Sequence, residues 1–163
     1  MIVIRFSTQK SWQSWLIRTF ENGFWASHVS AELPDGRIIS AQLDGGVLIR
    51  PADSEDICTR IERVELPATE AQTKAFHKFL LDQRGARYDW RAIVAFAFVR
   101  DWRNPNAWFC SELILAALIE CGWFSSPLIV GENHVMPRDL ALVLSSHLNL
   151  VWKAIRRDLG MGG

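Results

Sequence analysis

The run Trp25-Ala-Ser-His-Val-Ser-Ala-Glu-Leu33, the turn Pro34-Asp-Gly36 and the run Arg37-Ile-Ile-Ser-Ala-Gln-Leu43 decide the class of fold. In each run one face is apolar and the other largely polar, which is the period of a half-buried strand. Proline presets φ in the turn, aspartate bonds its own backbone locally, and glycine tolerates a positive φ. The three segments together predict a β-hairpin.

The alternation of faces also sets the register of this hairpin. A three-residue turn pairs Leu33 with Arg37, so the numbers of paired residues sum to 70. His28 then lies directly opposite Gln42, and Ser40 is its diagonal neighbour. A slip of one residue would place apolar side chains opposite polar ones, which the face pattern excludes.

Strands and helices fall in different halves of the chain. Further strands are predicted at Ile2–Phe6, Val47–Arg50 and Thr59–Leu66, with one amphipathic helix at Lys10–Phe20. Beyond Pro67, four helices are predicted: from the capping box Thr69–Gln72 to Gly85, at Asp89–Val99, at Cys110–Cys121 and from Pro137 to about Val143. A loop is predicted at 100–107, and a last strand at Leu148–Trp152. This segregation predicts one α+β domain over residues 1–163.

Composition narrows the classes of protein. A chain of 163 residues that is 49% hydrophobic can bury a core and is not disordered. The 18 basic and 18 acidic residues cancel without a basic block, which argues against a nucleic-acid partner. We expect a soluble chain with no signal peptide and no transmembrane segment, and the cytoplasm is one compartment that fits.

Three cysteines, Cys58, Cys110 and Cys121, cannot all pair with one another and show no metal-binding spacing. This pattern predicts free thiols and no zinc site. Cys110 begins the most apolar helix, where the helix dipole is expected to lower the pKa of a thiol and the first N–H groups can hold an oxyanion. The alternative is that Cys110 is a small buried apolar residue, and that His28 is an ordinary strand histidine.

Two pairs of segments resemble a known family. Ser27-His28-Val29 with Leu33–Ala41 resembles the histidine hairpin of NlpC-type papain-like cysteine peptidases, and Gly85–Trp90 with Trp108–Leu113 resembles their cysteine segment. Here the histidine precedes the cysteine by 82 residues. This order matches the circularly permuted branch, which includes the YiiX-like proteins and the lecithin:retinol acyltransferase relatives. Met136–Leu140 resembles a late element of the YiiX-like group.

The resemblance implies a permuted papain-like fold, in which an antiparallel sheet packs against a central helix that bears the nucleophile. It implies Cys110 as the nucleophile, His28 as the base and Tyr88 at the oxyanion site. The residue that orients the base in the family falls on Ser40, where histidine or glutamate is usual. The hairpin register instead favours Gln42, so two candidates for this role stay open.

The resemblance also implies an activity, the hydrolysis of a peptide-type amide such as one in cell-wall peptide, without a metal or organic cofactor. Two alternatives are a lipid acyltransferase or esterase like the lecithin:retinol relatives, and a binding module of the same fold with weak catalysis. Ser40 favours the binding module because serine orients imidazole weakly. Glu112 and Asp89 are expected to stabilise helix ends, and His77 is expected to be exposed.

Overall fold

The computed structural model describes residues 1–10, 12–55, 58–89, 107–124 and 135–147. It is built on a five-stranded antiparallel sheet in the order β4-β3-β2-β1-β5. The strands are β1 (Ile2–Thr8), β2 (His28–Glu32), β3 (Ile38–Gln42), β4 (Gly46–Arg50) and β5 (Arg60–Leu66). The helices are α1 (Trp12–Phe20), α2 (Glu70–Asp82), α3 (Cys110–Glu120) and α4 (Pro137–His147), with a 3-10 turn at Ala52–Glu55. The prediction of an α+β chain with an antiparallel sheet is confirmed.

The β2–β3 hairpin has the predicted register. Ala31 lies opposite Ile39 and Glu32 opposite Ile38, and both pairs sum to 70. The Leu33 N–H donates to the Arg37 carbonyl at 2.7 Å and closes the turn. Among the described residues, the β2–β3 ladder does not continue past Ala31 toward His28.

Strand β1 occupies a position that the sequence does not indicate. It lies between β2 and β5, with Phe6 opposite Val29 on one side and opposite Glu62 on the other. The same ladder places Ser7 directly opposite His28. A residue from the start of the chain is therefore the cross-strand neighbour of the predicted base.

Helix α3 lies at the centre of the described structure, as its nearly uniform apolar sequence predicts. It packs against β2 and β3 on the sheet and against α2 and α4. Eight of its residues are buried, among them Leu113, Ile114 and Leu118. Cys110 is the first residue of this helix, and its side chain packs with Ile17, Phe109 and Met136.

A second, two-stranded sheet pairs β6 (Arg87–Tyr88) with β7 (Ala107–Trp108) in parallel. The Asp89 N–H donates to the Trp108 carbonyl at 3.1 Å, which ties the two ends of residues 90–106 together. The sequence predicts a loop at Ala107, and this is wrong because a two-residue strand has no period to detect. The pair brings Tyr88 close to the start of α3.

The helix boundaries are mostly as predicted. Thr69 and Gln72 form the predicted capping box of α2, while α4 continues past Val143 to His147. The predicted helix at 89–99, the loop at 100–106, the strand at 148–152 and His134 lie outside the described residues, apart from Asp89. None of the described helices is long and apolar enough to cross a membrane.

The expectation that His77 is exposed is wrong. Its Nε2–H donates to the Glu32 carbonyl at 3.1 Å, and the ring is half-buried. The imidazole thereby connects α2 to the end of β2, where an edge carbonyl needs a donor.

Candidate active site

Cys110 is the first residue of α3, and its side chain is only 1% exposed. The backbone N–H groups of Val29 and Ser111 lie close enough to its sulfur to favour the thiolate. In a β-strand, the N–H groups of every second residue point to the same neighbouring strand. The Leu33 N–H points to the β3 side, because it donates to the Arg37 carbonyl. The Val29 N–H therefore also points to the β3 side, and its effect on Cys110 places the sulfur near it there.

This contact places the sulfur close to His28, because Val29 is the next residue along β2. A sulfur within reach of the Val29 N–H lies on the order of 6 Å from the Cα of His28, which is one peptide unit away from that nitrogen. An imidazole can span a gap of this size. The sequence prediction that the two side chains face each other within hydrogen-bond reach stays a prediction.

The thiol is not activated in the way that the sequence suggests. The helix end is expected to lower the pKa of Cys110, but burial raises it to about 12. The N–H groups of Val29 and Ser111 favour the thiolate, while the nearby charges of Glu21 and Glu112 disfavour it. Desolvation is the largest effect, so the resting group is a thiol.

His28 is also held neutral. Its side chain is 7% exposed, and burial, assisted by the charge of Arg50, lowers its pKa to about 4. Within the described part of the chain, its Nε2 is buried without a hydrogen-bond partner. At neutral pH the site therefore contains a thiol and a neutral imidazole, rather than a thiolate–imidazolium pair.

Tyr88 lies next to Cys110, while its predicted place at an oxyanion site stays a prediction. Its ring packs against that of Phe109 with centroids 5.9 Å apart, in a cluster with Cys110, Ile17 and Met136. Burial, and then the charges of Cys110, Glu112 and Asp89, raise the pKa of Tyr88 well above its ordinary value of 10. The side chain is therefore a phenol that can donate a hydrogen bond.

The two candidates for orienting the imidazole contact each other. Gln42 Nε2 donates to Ser40 Oγ at 3.2 Å. No hydrogen bond joins either side chain to His28 among the described residues, and the two-candidate prediction stays untested. Ser40 is buried, whereas Gln42 is partly exposed.

Glu112 acts as the sequence predicts. Its Oε2 accepts the Phe109 N–H at 3.2 Å, across the first turn of α3. Phe109 has no side-chain acceptor, so this carboxylate is a partner for a backbone N–H at the helix start. Glu112 thus stabilises the helix end from which Cys110 projects.

Glu21 is a site residue that the sequence analysis does not identify. It follows α1, is 1% exposed, and its Oε1 accepts the Arg138 N–H at 2.7 Å. Burial raises its pKa to about 8, with Asp139 adding to this effect and Arg138 opposing it. When it is ionised, Glu21 raises the pKa of the Cys110 thiol. The sequence Glu21-Asn-Gly indicates only the end of a helix, so no signal reveals this burial.

The Met136–Leu140 segment forms the start of α4. Asp139 Oδ2 accepts the Met136 N–H at 3.1 Å, and Arg138 Nη1 donates to the Glu21 carbonyl at 3.3 Å. Met136 packs in the same cluster as Cys110. This segment therefore connects α4 to the end of α1 beside the thiol.

Within the described ranges, no three His, Cys, Asp or Glu side chains come together as a metal site. No family model matches the sequence, and no curated protein matches it.

Proposed function

We propose that this chain is a cysteine hydrolase with a permuted papain-like fold, acting on a peptide-type amide such as one in cell-wall peptide. Cys110 is the nucleophile and His28 is the base. One observation supports the proposal most: the Cys110 sulfur lies near the backbone N–H of Val29, the residue next to His28, and Nε2 of His28 is buried without a partner in the described structure. A buried thiol beside a buried, neutral imidazole is an arrangement suited to general-base catalysis.

The neutral resting pair determines how the first step proceeds. Burial penalises the thiolate and the imidazolium, so the proton leaves the sulfur as the bond from sulfur to the carbonyl carbon forms. His28 takes this proton. The negative charge moves to the carbonyl oxygen, which the Cys110 N–H and the Tyr88 hydroxyl stabilise.

The second half of the reaction returns the enzyme to its starting state. The carbon–nitrogen bond breaks, and His28 gives its proton to the leaving amine, which leaves a thioester on Cys110. His28 then takes a proton from water as the water oxygen attacks the thioester. The proton returns to the sulfur when the carboxylic acid departs.

A binding module without efficient catalysis is the second candidate. It is favoured by the pKa of Cys110, about 12, and that of His28, about 4, since neither group is charged at neutral pH. An acyltransferase would use the same acyl-enzyme but transfer the acyl group to an alcohol or amine.

An acyl-enzyme trap tests the proposal. The chain is incubated with p-nitrophenyl butyrate and analysed by intact mass and peptide mapping. We expect butyryl on Cys110, none on Cys110→Ala, and a rate roughly 100-fold lower in His28→Ala. Cys121→Ala removes another buried thiol and should acylate like the wild type.

Absence of acylation, or an equal rate in His28→Ala, would contradict the hydrolase and favour the binding module. Adding an alcohol or an amine during turnover separates hydrolysis from transfer. Butyric acid as the main product supports the hydrolase, and a butyryl ester or amide supports the acyltransferase.

A further inference from the structure

Two buried polar atoms without partners occur on opposed residues of the β1–β2 ladder. Ser7 lies directly opposite His28, with its side chain 0% exposed. Ser7 Oγ and His28 Nε2 each have no hydrogen-bond partner among the described residues. Directly opposed side chains share one face of a sheet, with Cβ atoms about 5 Å apart.

The two atoms are chemically complementary. A hydroxyl can both donate and accept, while Nε2 of a neutral imidazole donates or accepts according to the tautomer. Each unpaired buried group is costly, and one hydrogen bond between them would remove both costs. The Ser7 hydroxyl can rotate about the Cα–Cβ bond between its staggered rotamers, which lets it turn toward the imidazole.

The two candidates on β3, Ser40 and Gln42, are less well placed to orient the His28 imidazole than Ser7 on β1. Ser40 and Gln42 are bound to each other, and the β2–β3 ladder in the described structure does not extend beyond Ala31. The β1–β2 ladder, in contrast, runs through Ser7 and His28 themselves. The backbone thus fixes the distance between Ser7 and His28 more directly.

We propose that Ser7 is the residue that positions the imidazole of His28. Its hydroxyl accepts the Nε2–H, which keeps the proton on Nε2 and leaves Nδ1 as the base toward the Cys110 thiol. Ser7 acts through His28 and does not touch the substrate. The role in turnover rests on the proposed function, whereas the hydrogen bond itself does not.

The tautomer of His28 tests the hydrogen bond without relying on activity. Nitrogen-15 NMR of the full chain near neutral pH should report a proton on Nε2 in the wild type. In Ser7→Ala we expect a mixture of tautomers, and in Ser7→Thr the wild-type pattern. Ser145→Ala is the matched control, because Ser145 is a buried serine on α4 whose Oγ donates to Leu142.

Acylation of Cys110 tests the consequence for the reaction. Ser7→Ala should slow acylation about 10-fold or more, with Ser7→Thr restoring most of the rate and Ser145→Ala leaving it unchanged. Ser7→Ala should melt at a lower temperature than the wild type, because it leaves the buried Nε2–H of His28 without its proposed acceptor. Acylation rates are therefore compared well below the melting temperature of this variant, where it is fully folded. A slower rate in this variant would therefore not reflect unfolding.

The remaining outcomes separate the two proposals. A wild-type tautomer in Ser7→Ala, with a change in Ser40→Ala or Gln42→Ala, would overturn the role of Ser7 and place the orienting residue on β3. Failure of Ser7→Thr to restore the tautomer would also argue against the hydroxyl. If Ser7→Ala changes the tautomer but Cys110→Ala still acylates, the hydrogen bond stands and the hydrolase fails.

Discussion

Replacing Glu21 with glutamine should change how the stability of the protein depends on pH. Glu21 is almost completely buried, and its pKa is raised by that burial from 4.5 to about 8. A carboxyl of this kind stays neutral in the folded chain while it ionises in the unfolded chain. The free energy of unfolding therefore falls as the pH rises from 4.5 to about 8, and Glu21→Gln should remove this fall.

The two pKa values of Glu21, 4.5 when unfolded and about 8 when folded, correspond to a total loss of about 5 kcal/mol in the free energy of unfolding, at about 1.4 kcal/mol per pH unit. His28 acts in the opposite direction at lower pH. Its pKa falls from 6.5 to about 4, so its contribution increases stability as the pH rises toward 6.5. Above pH 6.5 the contribution of His28 no longer changes, and only Glu21 still does. Between pH 6.5 and pH 8, Glu21 lowers the free energy of unfolding by about 2 kcal/mol.

Urea unfolding of the full chain at about pH 6.5 and about pH 8 measures this difference. Glu21→Gln keeps an oxygen acceptor for the Arg138 N–H, so it should fold with the same contacts. We expect it to gain about 2 kcal/mol over the wild type between the two pH values. Glu70→Gln, at an exposed carboxyl on α2, is the control and should gain nothing. An equal pH dependence in Glu21→Gln and the wild type would refute the reasoning.

Three further predictions concern reactivity and local structure. Cys110 should react with iodoacetamide near neutral pH more slowly than the half-buried Cys58, because burial raises the pKa of Cys110 to about 12; faster labelling in peptide mapping would contradict this. Thr69→Ala should lower the free energy of unfolding by about 1 kcal/mol through loss of the α2 cap, and no change in urea unfolding would argue against it. Gly46→Ala should cost about 3 kcal/mol or more, since Gly46 has φ +74° and a Cβ there would lie 2.0 Å from the Ala86 carbonyl oxygen; wild-type stability would exclude that contact.

Local patterns predict the local parts of the fold well. The register of the hairpin follows from which residues of β2 and β3 are apolar, and Ala31 opposite Ile39 confirms it. The capping box of α2 follows from two residues three positions apart. Each of these features depends on neighbours along the chain or across one short turn.

The environment of the candidate site depends on contacts between distant parts of the chain. Ser7 meets His28 only because β1 enters the sheet beside β2, and no periodicity indicates that order of strands. Glu21 becomes buried because α4 packs over the end of α1. The sequence predicts a lowered pKa for Cys110, whereas burial raises it, because a position at a helix end is visible in the sequence and the depth of burial is not.

Because β6 and β7 pair with each other, the positions of the candidate site residues do not depend on how many residues lie between these two strands. The Asp89 N–H donates to the Trp108 carbonyl, so the residues on either side of 90–106 are joined directly. Lengthening a segment whose ends are already joined costs only about 0.6 kcal/mol per doubling of its length. Tyr88 and Cys110 can therefore stay in place while residues 90–106 diverge in sequence and size. The join between Asp89 and Trp108 therefore marks a position where the length of the chain can be changed without moving Tyr88 or Cys110.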